Sequence, residues 1–220
     1  FYLTSESEIA PEGYRYTGFS FESGDEWYTG TPMNDVRRSP AAAGHDGKAY
    51  CFGGHGVDEK GENILLSSVE MYDPATREWT FRAPIREGRA KSVAVELGGL
   101  IYVIGGYAVV QGANGEPVED MIDSLDAYDP ASDTWTQLSS MMSLRQNAAA
   151  VTHQGKIYVF SGYGADPGKR EQGDPRYNLV SAEVYDPELD VWSPLSPSLA
   201  ARNAPSAGVV DGLIYLVSGR

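Results

Sequence analysis

The stretch Tyr50-Cys51-Phe52-Gly53-Gly54 occurs, in closely related forms, four times along this chain of 220 residues. The later copies begin at Tyr102, Tyr158 and Tyr215, so the four tyrosines lie 52, 56 and 57 residues apart. The tryptophans keep the same three intervals and are Trp27, Trp79, Trp135 and Trp192. Because two independent markers share one spacing, the chain is built from successive repeats of one structural unit.

Each repeat predicts four short β-strands. In the second repeat these are residues 91–97, 100–104, 124–128 and 134–138, and in the third they are 148–152, 156–160, 182–185 and 191–194. The second strand is almost entirely apolar, which is typical of burial on both faces. The third strand stops at an Asp-Pro pair, since proline cannot donate a hydrogen bond to a sheet. No segment has the apolar period of about 3.6 residues over a helical length, so the sequence predicts an all-β fold.

This pattern resembles the kelch repeat. The residues that carry the resemblance are the Tyr50 stretch with its copies, the turn Tyr72-Asp73-Pro74 with its copies at Tyr128 and Tyr185, and the tryptophan after each turn. Ser161 and Ser218 depart from the pattern, because each replaces the first glycine of the pair. The resemblance implies a kelch-type β-propeller, in which each blade is a four-stranded antiparallel sheet packed around a central channel.

The repeats predict about four blade units within a single domain, residues 1–220. Residues 37–88, 89–144 and 145–201 are complete blades, whereas 1–36 and 202–220 each supply half a blade. The two halves could pair and close a four-blade ring, or the chain could be part of a larger propeller. In the second case, unpaired strand edges would favour self-association.

The repeated aromatic residues are expected to be structural. The tyrosines 50, 102, 158 and 215 lie in apolar strands and are expected in the core. The tryptophans 79, 135 and 192 are expected to pack one blade against the next, because they recur at one position of the outer strand. The single cysteine, Cys51, cannot form an internal disulfide and is expected to pack as a small apolar residue.

The composition excludes several classes of protein. Lys and Arg number 17 against 31 Asp and Glu, which gives a net charge of −14 and argues against nucleic-acid binding. Hydrophobic residues make up 41% of the chain, which is typical of a soluble, folded protein. No apolar run approaches the ~18 residues that a membrane-spanning helix needs. The composition leaves both a cytoplasmic and an extracytoplasmic location open.

The first candidate site is a third periodic position. An arginine stands 16 residues before Gly53, Gly105, Ser161 and Ser218, and the four are Arg37, Arg89, Arg145 and Arg202. They fall where the chain crosses from one blade to the next, so the sequence predicts a ring of arginines at the channel mouth. Guanidinium groups bind carboxylates and phosphates bidentately, which suits an acidic peptide or a small anionic ligand. The alternative is that each arginine bonds to loop carbonyls of its own repeat.

Three long inserts form the second candidate site. Residues 55–66, 107–123 and 163–179 separate the second and third strands of the three complete blades. In kelch propellers such loops share a face with the crossing segments, and here they mix charged and aromatic side chains. Loops of this kind carry function more often than strands do, so Tyr107 and Tyr163 are candidate ligand-binding residues.

The sequence thus predicts a kelch-repeat recognition module that binds a protein or peptide through inter-strand loops on one face. The alternative is a protein that acts on a carbohydrate or small anion at the channel mouth, similar to the sialic-acid epimerases. The three histidines have no metal-ligand spacing, and neither a metal nor another cofactor is expected. Enzymatic activity is left undecided, with no catalytic motif to support it.

Overall fold

The structure is a computed structural model that describes residues 19–20, 28–112, 114–168 and 175–220. All of the regular elements in these residues are β-strands, which confirms the all-β prediction. Since these parts of the chain contain no helix, they contain none that is long and apolar enough to cross a membrane.

In chain order the strands are β1 (Phe19–Ser20), β2 (Tyr28–Thr29), β3 (Ala41–His45), β4 (Lys48–Phe52), β5 (His55–Val57), β6 (Asn63–Leu65), β7 (Val69–Asp73), β8 (Glu78–Arg82), β9 (Arg89–Ala90), β10 (Val93–Leu97), β11 (Leu100–Gln111), β12 (Pro117–Asp129), β13 (Thr134–Leu138), β14 (Leu144–Gln146), β15 (Ala149–His153), β16 (Lys156–Phe160), β17 (Tyr163–Ala165), β18 (Tyr177–Asn178), β19 (Ala182–Asp186), β20 (Val191–Leu195), β21 (Ser206–Val210) and β22 (Leu213–Val217).

Three four-stranded antiparallel paths form the body of the molecule. Their strand orders are β3-β4-β7-β8, β10-β11-β12-β13 and β15-β16-β19-β20, and we call them the first, second and third blades. The turn tyrosine of each blade lies directly opposite its tryptophan, as in the pairs Tyr72↔Trp79, Tyr128↔Trp135 and Tyr185↔Trp192. Each four-stranded path falls within one predicted repeat, while the assignment of all 220 residues to one domain stays a prediction.

The first strands of successive blades lie side by side. Strand β3 contacts β10, β10 contacts β15, and β15 contacts β21. Together they surround an open cavity of about 380 Å³ whose lining includes Ala43, Ala94, Val151 and Val209. Because small side chains face this cavity, four first strands can approach one axis, as the blades of a propeller do.

The hydrophobic core lies between blades rather than within one sheet. One cluster joins Tyr50, Phe52 and Val69 of the first blade to Ile101 and Tyr128 of the second. A second cluster joins the second and third blades in the same way. A blade therefore gains its stability from the surface it buries against its neighbours.

Each repeated tryptophan of the three blades forms a hydrogen bond with the preceding unit. The indole Nε1 groups of Trp79, Trp135 and Trp192 donate to the carbonyls of Thr31, Ala83 and Ser139 at 2.9, 2.9 and 2.7 Å. The acceptors all lie in the segment that leads out of the previous unit. The predicted blade-to-blade packing is confirmed for Trp135 and Trp192, which lie in the clusters between blades, whereas Trp79 meets the preceding unit through its hydrogen bond to Thr31.

The two ends of the chain form separate two-stranded sheets, β1-β2 and β21-β22, in the described residues. Closure of a ring by pairing these ends therefore stays a prediction, and most of the predicted strand at 14–21 lies outside the described residues. Tyr50 and Tyr102 are buried as expected, whereas Tyr158 is only half-buried and Tyr215 is 48% exposed. The expectation of full burial was therefore wrong for Tyr158 and Tyr215, and in the described residues the strand of Tyr215 pairs with β21 alone.

Candidate functional site

Three of the four periodic arginines are buried and ion-paired. Arg37, Arg89 and Arg145 are each 1% exposed. In each case Nη2 donates to a carboxylate on the third strand of the same blade, and the pairs are Arg37–Glu70 at 2.7 Å, Arg89–Asp126 at 2.6 Å and Arg145–Glu183 at 2.7 Å. The buried charges thus neutralise each other inside the blade.

The third blade shows how this pair holds the chain. Arg145 Nη1 donates to the carbonyls of Ser161 and Ser181 at 2.9 and 3.1 Å. The Glu183 carboxylate accepts bonds from the amides of Met142 and Ser143 at 2.6 and 3.1 Å. The first blade repeats the arrangement with Arg37 and Glu70. The pair therefore fastens the crossing segment to the middle of the sheet.

These contacts are the alternative that the sequence left open, in which the arginines bond to groups of their own repeat. A ligand-binding role for Arg37, Arg89 and Arg145 stays a prediction, and no contact of theirs supports it. Sequence reasoning missed the carboxylates that pair with them. Their signal is an acidic residue two positions before each Tyr-Asp-Pro turn, at Glu70, Asp126 and Glu183.

Arg202 differs from the other three arginines. It is half-buried, and its Nη1 donates to the carbonyl of Ser218, as Arg145 does to Ser161. Within the part of the chain that the structure describes, no carboxylate lies within ion-pair distance of it. In the other three cases the carboxylate belongs to the third strand of the blade, and the described residues of the last sheet form two strands.

The inserts are hairpins rather than irregular loops, and they pair with the crossing segments. Strands β5 and β6 pair with each other, and His55 forms a bridge with Arg38. The far halves of β11 and β12 form the second hairpin, against which β9 pairs. In the third blade β14, β17 and β18 form one small sheet. Because every crossing segment carries its insert, the three hairpins lie on one side of the blades, which we call the insert face.

Each blade has one equivalent residue on the insert face, directly after its Gly-Gly or Ser-Gly pair. These residues are His55, Tyr107 and Tyr163, all of which are half-buried. The rings of His55 and Tyr107 lie 6.4 Å apart, although the two residues belong to neighbouring blades. The Nζ atom of Lys91 lies 5.2 Å from the centre of the Tyr107 ring, a cation–π distance. The first two inserts therefore meet through their side chains.

The protonation of this cluster follows from its surroundings. Burial raises the pKa of Tyr107, and a hydrogen bond with Glu119 raises it further. Burial lowers the pKa of His55, as do the nearby charges of Arg38 and Lys91. At neutral pH the tyrosine is therefore protonated and the imidazole uncharged.

The second and third inserts are joined as well. Arg176 Nη2 of the third insert donates to Asp120 Oδ2 of the second at 2.7 Å, and within the third insert Tyr177 donates to Asp166 Oδ2 at 3.1 Å. A cavity of about 210 Å³ opens beside the second hairpin, and its lining includes Val110, Val118, Asp120, Met121 and Leu144. The insert face thus runs continuously over three blades and contains a recess of mixed polarity.

A chain of backbone hydrogen bonds supports the insert face. The amide of Lys91 donates to the carbonyl of Ser39, Asn147 donates to Lys91, and Ala204 donates to Asn147, at 2.9, 2.9 and 3.0 Å. All four residues have a left-handed backbone, with φ between 51° and 58°. Since this conformation is uncommon outside glycine, its recurrence shows that the repeats impose it. The bonds tie successive crossing segments together at the rim.

Most of the chain is similar to known proteins. Residues 37–85, 88–142 and 144–198 match the family model described as the Kelch motif. Kelch repeat and BTB domain-containing protein 12 of Danio rerio is 32% identical over 187 residues, which are 83% of this chain and 30% of that protein. Beta-scruin of Limulus polyphemus is 26% identical over 197 residues, which are 90% of this chain and 20% of that protein. The chain spans less than a third of these relatives.

A solved structure, titled "Structure of YjhT", has the same fold. It matches with a TM-score of 0.74 at 19% sequence identity, over 93% of this chain and 66% of that chain. The motif matches cover the three blades, and the blades reproduce the predicted strand order and tryptophan contacts. The chain therefore belongs to the kelch-repeat family and has the fold of a kelch-type β-propeller.

Proposed function

We propose that this protein is a recognition module that binds a protein or peptide on the insert face. The observation that carries the proposal is the contact between neighbouring inserts. His55, Tyr107 and Lys91 join the first blade to the second, and Asp120 and Arg176 join the second blade to the third. Such contacts hold separate hairpins in one surface before a partner arrives. A preformed surface binds with less loss of conformational entropy than independent loops do.

The chemistry of the insert face suits a protein partner. Tyr107 and Tyr163 present aromatic area with few rotatable bonds, and tyrosine is enriched among residues that dominate binding energy. The recess beside the second hairpin, about 210 Å³, is large enough to take a side chain of the partner, and its lining includes Val110, Val118 and Asp120. Polar residues surround these features, as they do at the rims of interfaces.

An acidic segment is the kind of partner we favour near the first two inserts. Arg38 is exposed and Lys91 is half-exposed there, within a chain whose overall charge is −14. A carboxylate-bearing peptide would be attracted to this basic area and repelled elsewhere. The alternative action on a carbohydrate or small anion has no support, because three of the four arginines invoked for it are buried and paired.

A display library of random peptides, selected on the protein, tests this proposal. A photo-crosslinking amino acid at position 107 or 163 should capture the selected peptides, whereas one at position 154, in the β15–β16 turn, should not. The combined change Tyr107→Ala and Tyr163→Ala should weaken binding at least about tenfold, because two aromatic anchors are removed. Gln154→Ala is the matched control and should bind normally. Capture from position 154, or unchanged binding by the double variant, would contradict the proposal.

A further inference from the structure

Three basic side chains lie together where the first two inserts meet. They belong to Arg38, His55 and Lys91, which we call the basic cluster. Arg38 and His55 exchange two backbone hydrogen bonds, of 2.9 and 2.8 Å. The Lys91 amide donates to the carbonyl of Ser39, which follows Arg38, at 2.9 Å. Backbone bonds therefore hold the three residues side by side. The cluster lies between the first and second blades, both of which have all four strands.

The cluster contains more positive charge than the described residues neutralise. Arg38 is exposed, and none of the three basic residues forms an ion pair with a described carboxylate. The other titratable groups that face His55 are Tyr107 on β11 and Glu119 on β12. Glu119 is exposed, and its carboxylate already accepts a hydrogen bond from the Tyr107 hydroxyl. The basic side chains are thus open to a carboxylate that approaches from solvent.

The protonation of His55 depends on the charges around it. Burial lowers its pKa, and the charges of Arg38 and Lys91 lower it further, whereas Glu119 acts weakly in the opposite direction. At neutral pH the imidazole is therefore uncharged, and protonation adds a third positive charge to the cluster. A carboxylate bound there would reverse the effect, because a negative charge nearby favours the charged imidazole. Binding and protonation therefore strengthen each other, as two linked equilibria must.

We infer that a carboxylate of the partner binds at the basic cluster with uptake of a proton by His55. The affinity of the insert face for an acidic segment then increases as the pH falls from about 7 to about 5.5, a range in which Glu and Asp side chains stay ionised. An acidic occupant follows from charge complementarity, since the chain has a net charge of −14 and repels anions elsewhere. The inference rests on the proposed function and adds a pH dependence to it.

The test uses hexaglutamate, with hexaglutamine as the uncharged control, and the unmodified protein at low ionic strength. The anisotropy of a fluorescent label on the peptide gives the affinity, and the NMR signal of the imidazole reports the protonation of His55. Hexaglutamate should raise the pKa of His55 and bind at least about threefold more tightly at pH ~5.5 than at pH ~7, because the two equilibria are linked. Hexaglutamine should do neither.

Matched variants separate the basic cluster from general charge effects. His55→Gln should bind hexaglutamate with the same affinity across this pH range, whereas His153→Gln, on β15, should keep the pH dependence of the unmodified protein. The combined change Arg38→Gln and Lys91→Gln should weaken binding at least about tenfold, because charge-assisted bonds are lost. Lys60→Gln removes an exposed charge from the first insert outside the cluster and should bind almost normally.

The inference would be overturned if hexaglutamate failed to bind, if binding left the protonation of His55 unchanged, or if His55→Gln kept the pH dependence. None of these results would contradict the proposed function, which is tested with peptides selected on the protein and with the tyrosines at 107 and 163. Conversely, pH-dependent binding of hexaglutamate together with a failed peptide selection would count against the proposed function alone.

Discussion

The buried pair of Arg145 and Glu183 allows a stability prediction that can be worked from the structure. The change Glu183→Gln keeps the shape of a side chain that is 2% exposed but removes its charge. Burial lowers the pKa of Arg145, and the Glu183 carboxylate is the largest influence that opposes this effect. Gln leaves a buried guanidinium without a counter-charge, and breaking such a pair costs about 3–5 kcal/mol.

We expect a loss near 3 kcal/mol in the free energy of unfolding, because the remaining amide oxygen still accepts one bond. With a urea m-value of about 2 kcal/mol/M, the midpoint of urea unfolding should fall by about 1.5 M. Asp186→Asn is the matched control, since it breaks an ion pair with Lys156 whose side chains are 22 and 44% exposed. The control should lower the midpoint far less.

The combined change Arg145→Met and Glu183→Leu separates charge from packing. Replacing both members removes the uncompensated charge but leaves the amides of Met142 and Ser143 without their acceptor, so the double variant should recover only part of the loss. A loss below about 1 kcal/mol for Glu183→Gln would refute the reasoning, because it would mean that the guanidinium is not confined to a dry interior.

Three further outcomes follow from the described contacts. Trp135→Ala should lower the free energy of unfolding by about 3 kcal/mol or more in urea titrations, because the indole fills space between two blades, and a loss below about 1 kcal/mol would place it on the surface. Gly164→Ala should cost about 1–3 kcal/mol, since a Cβ there would overlap the carbonyl oxygen of Leu144, whereas Gly208→Ala meets no atom within 4 Å and is its control. His55 has a pKa below its ordinary 6.5, so the unfolded chain binds more protons as the pH falls through 6.5. Stability should therefore decrease on acidification from pH ~7 to pH ~5, and His55→Gln should reduce that slope, which an unchanged slope would contradict.

The blades were predictable because their signals are local. The signals are a short run of apolar residues, a glycine-containing turn and an Asp-Pro pair that ends a strand. Each of them spans only a few residues and occurs in every complete repeat. The tryptophan links were predictable for the same reason, since a residue that recurs at one position of a repeated sheet meets the same neighbour each time.

The arginines show what could not be predicted from residues that are close together in the sequence. Their shared position was evident from the spacing, but their carboxylate partners lie 33, 37 and 38 residues further along the chain. Whether a guanidinium faces solvent or a buried acid depends on how the crossing segment packs under the third strand. No pattern within a single repeat indicates how segments so far apart in the sequence pack against each other. The acidic residue before each turn could therefore be identified as the partner of the arginine only from the structure.

By itself the sequence determined the repeat, the order of the four strands and the residues that join one blade to the next. These properties follow from the alternation, the turn chemistry and the spacing that every copy shares. Only the tertiary structure decided which charges are buried, that the inserts are hairpins in mutual contact, and that Tyr215 and Arg202 are less buried than Tyr50 and Arg37. These outcomes depend on neighbours brought together from distant parts of the chain, and equivalent positions in the repeats can therefore have different surroundings.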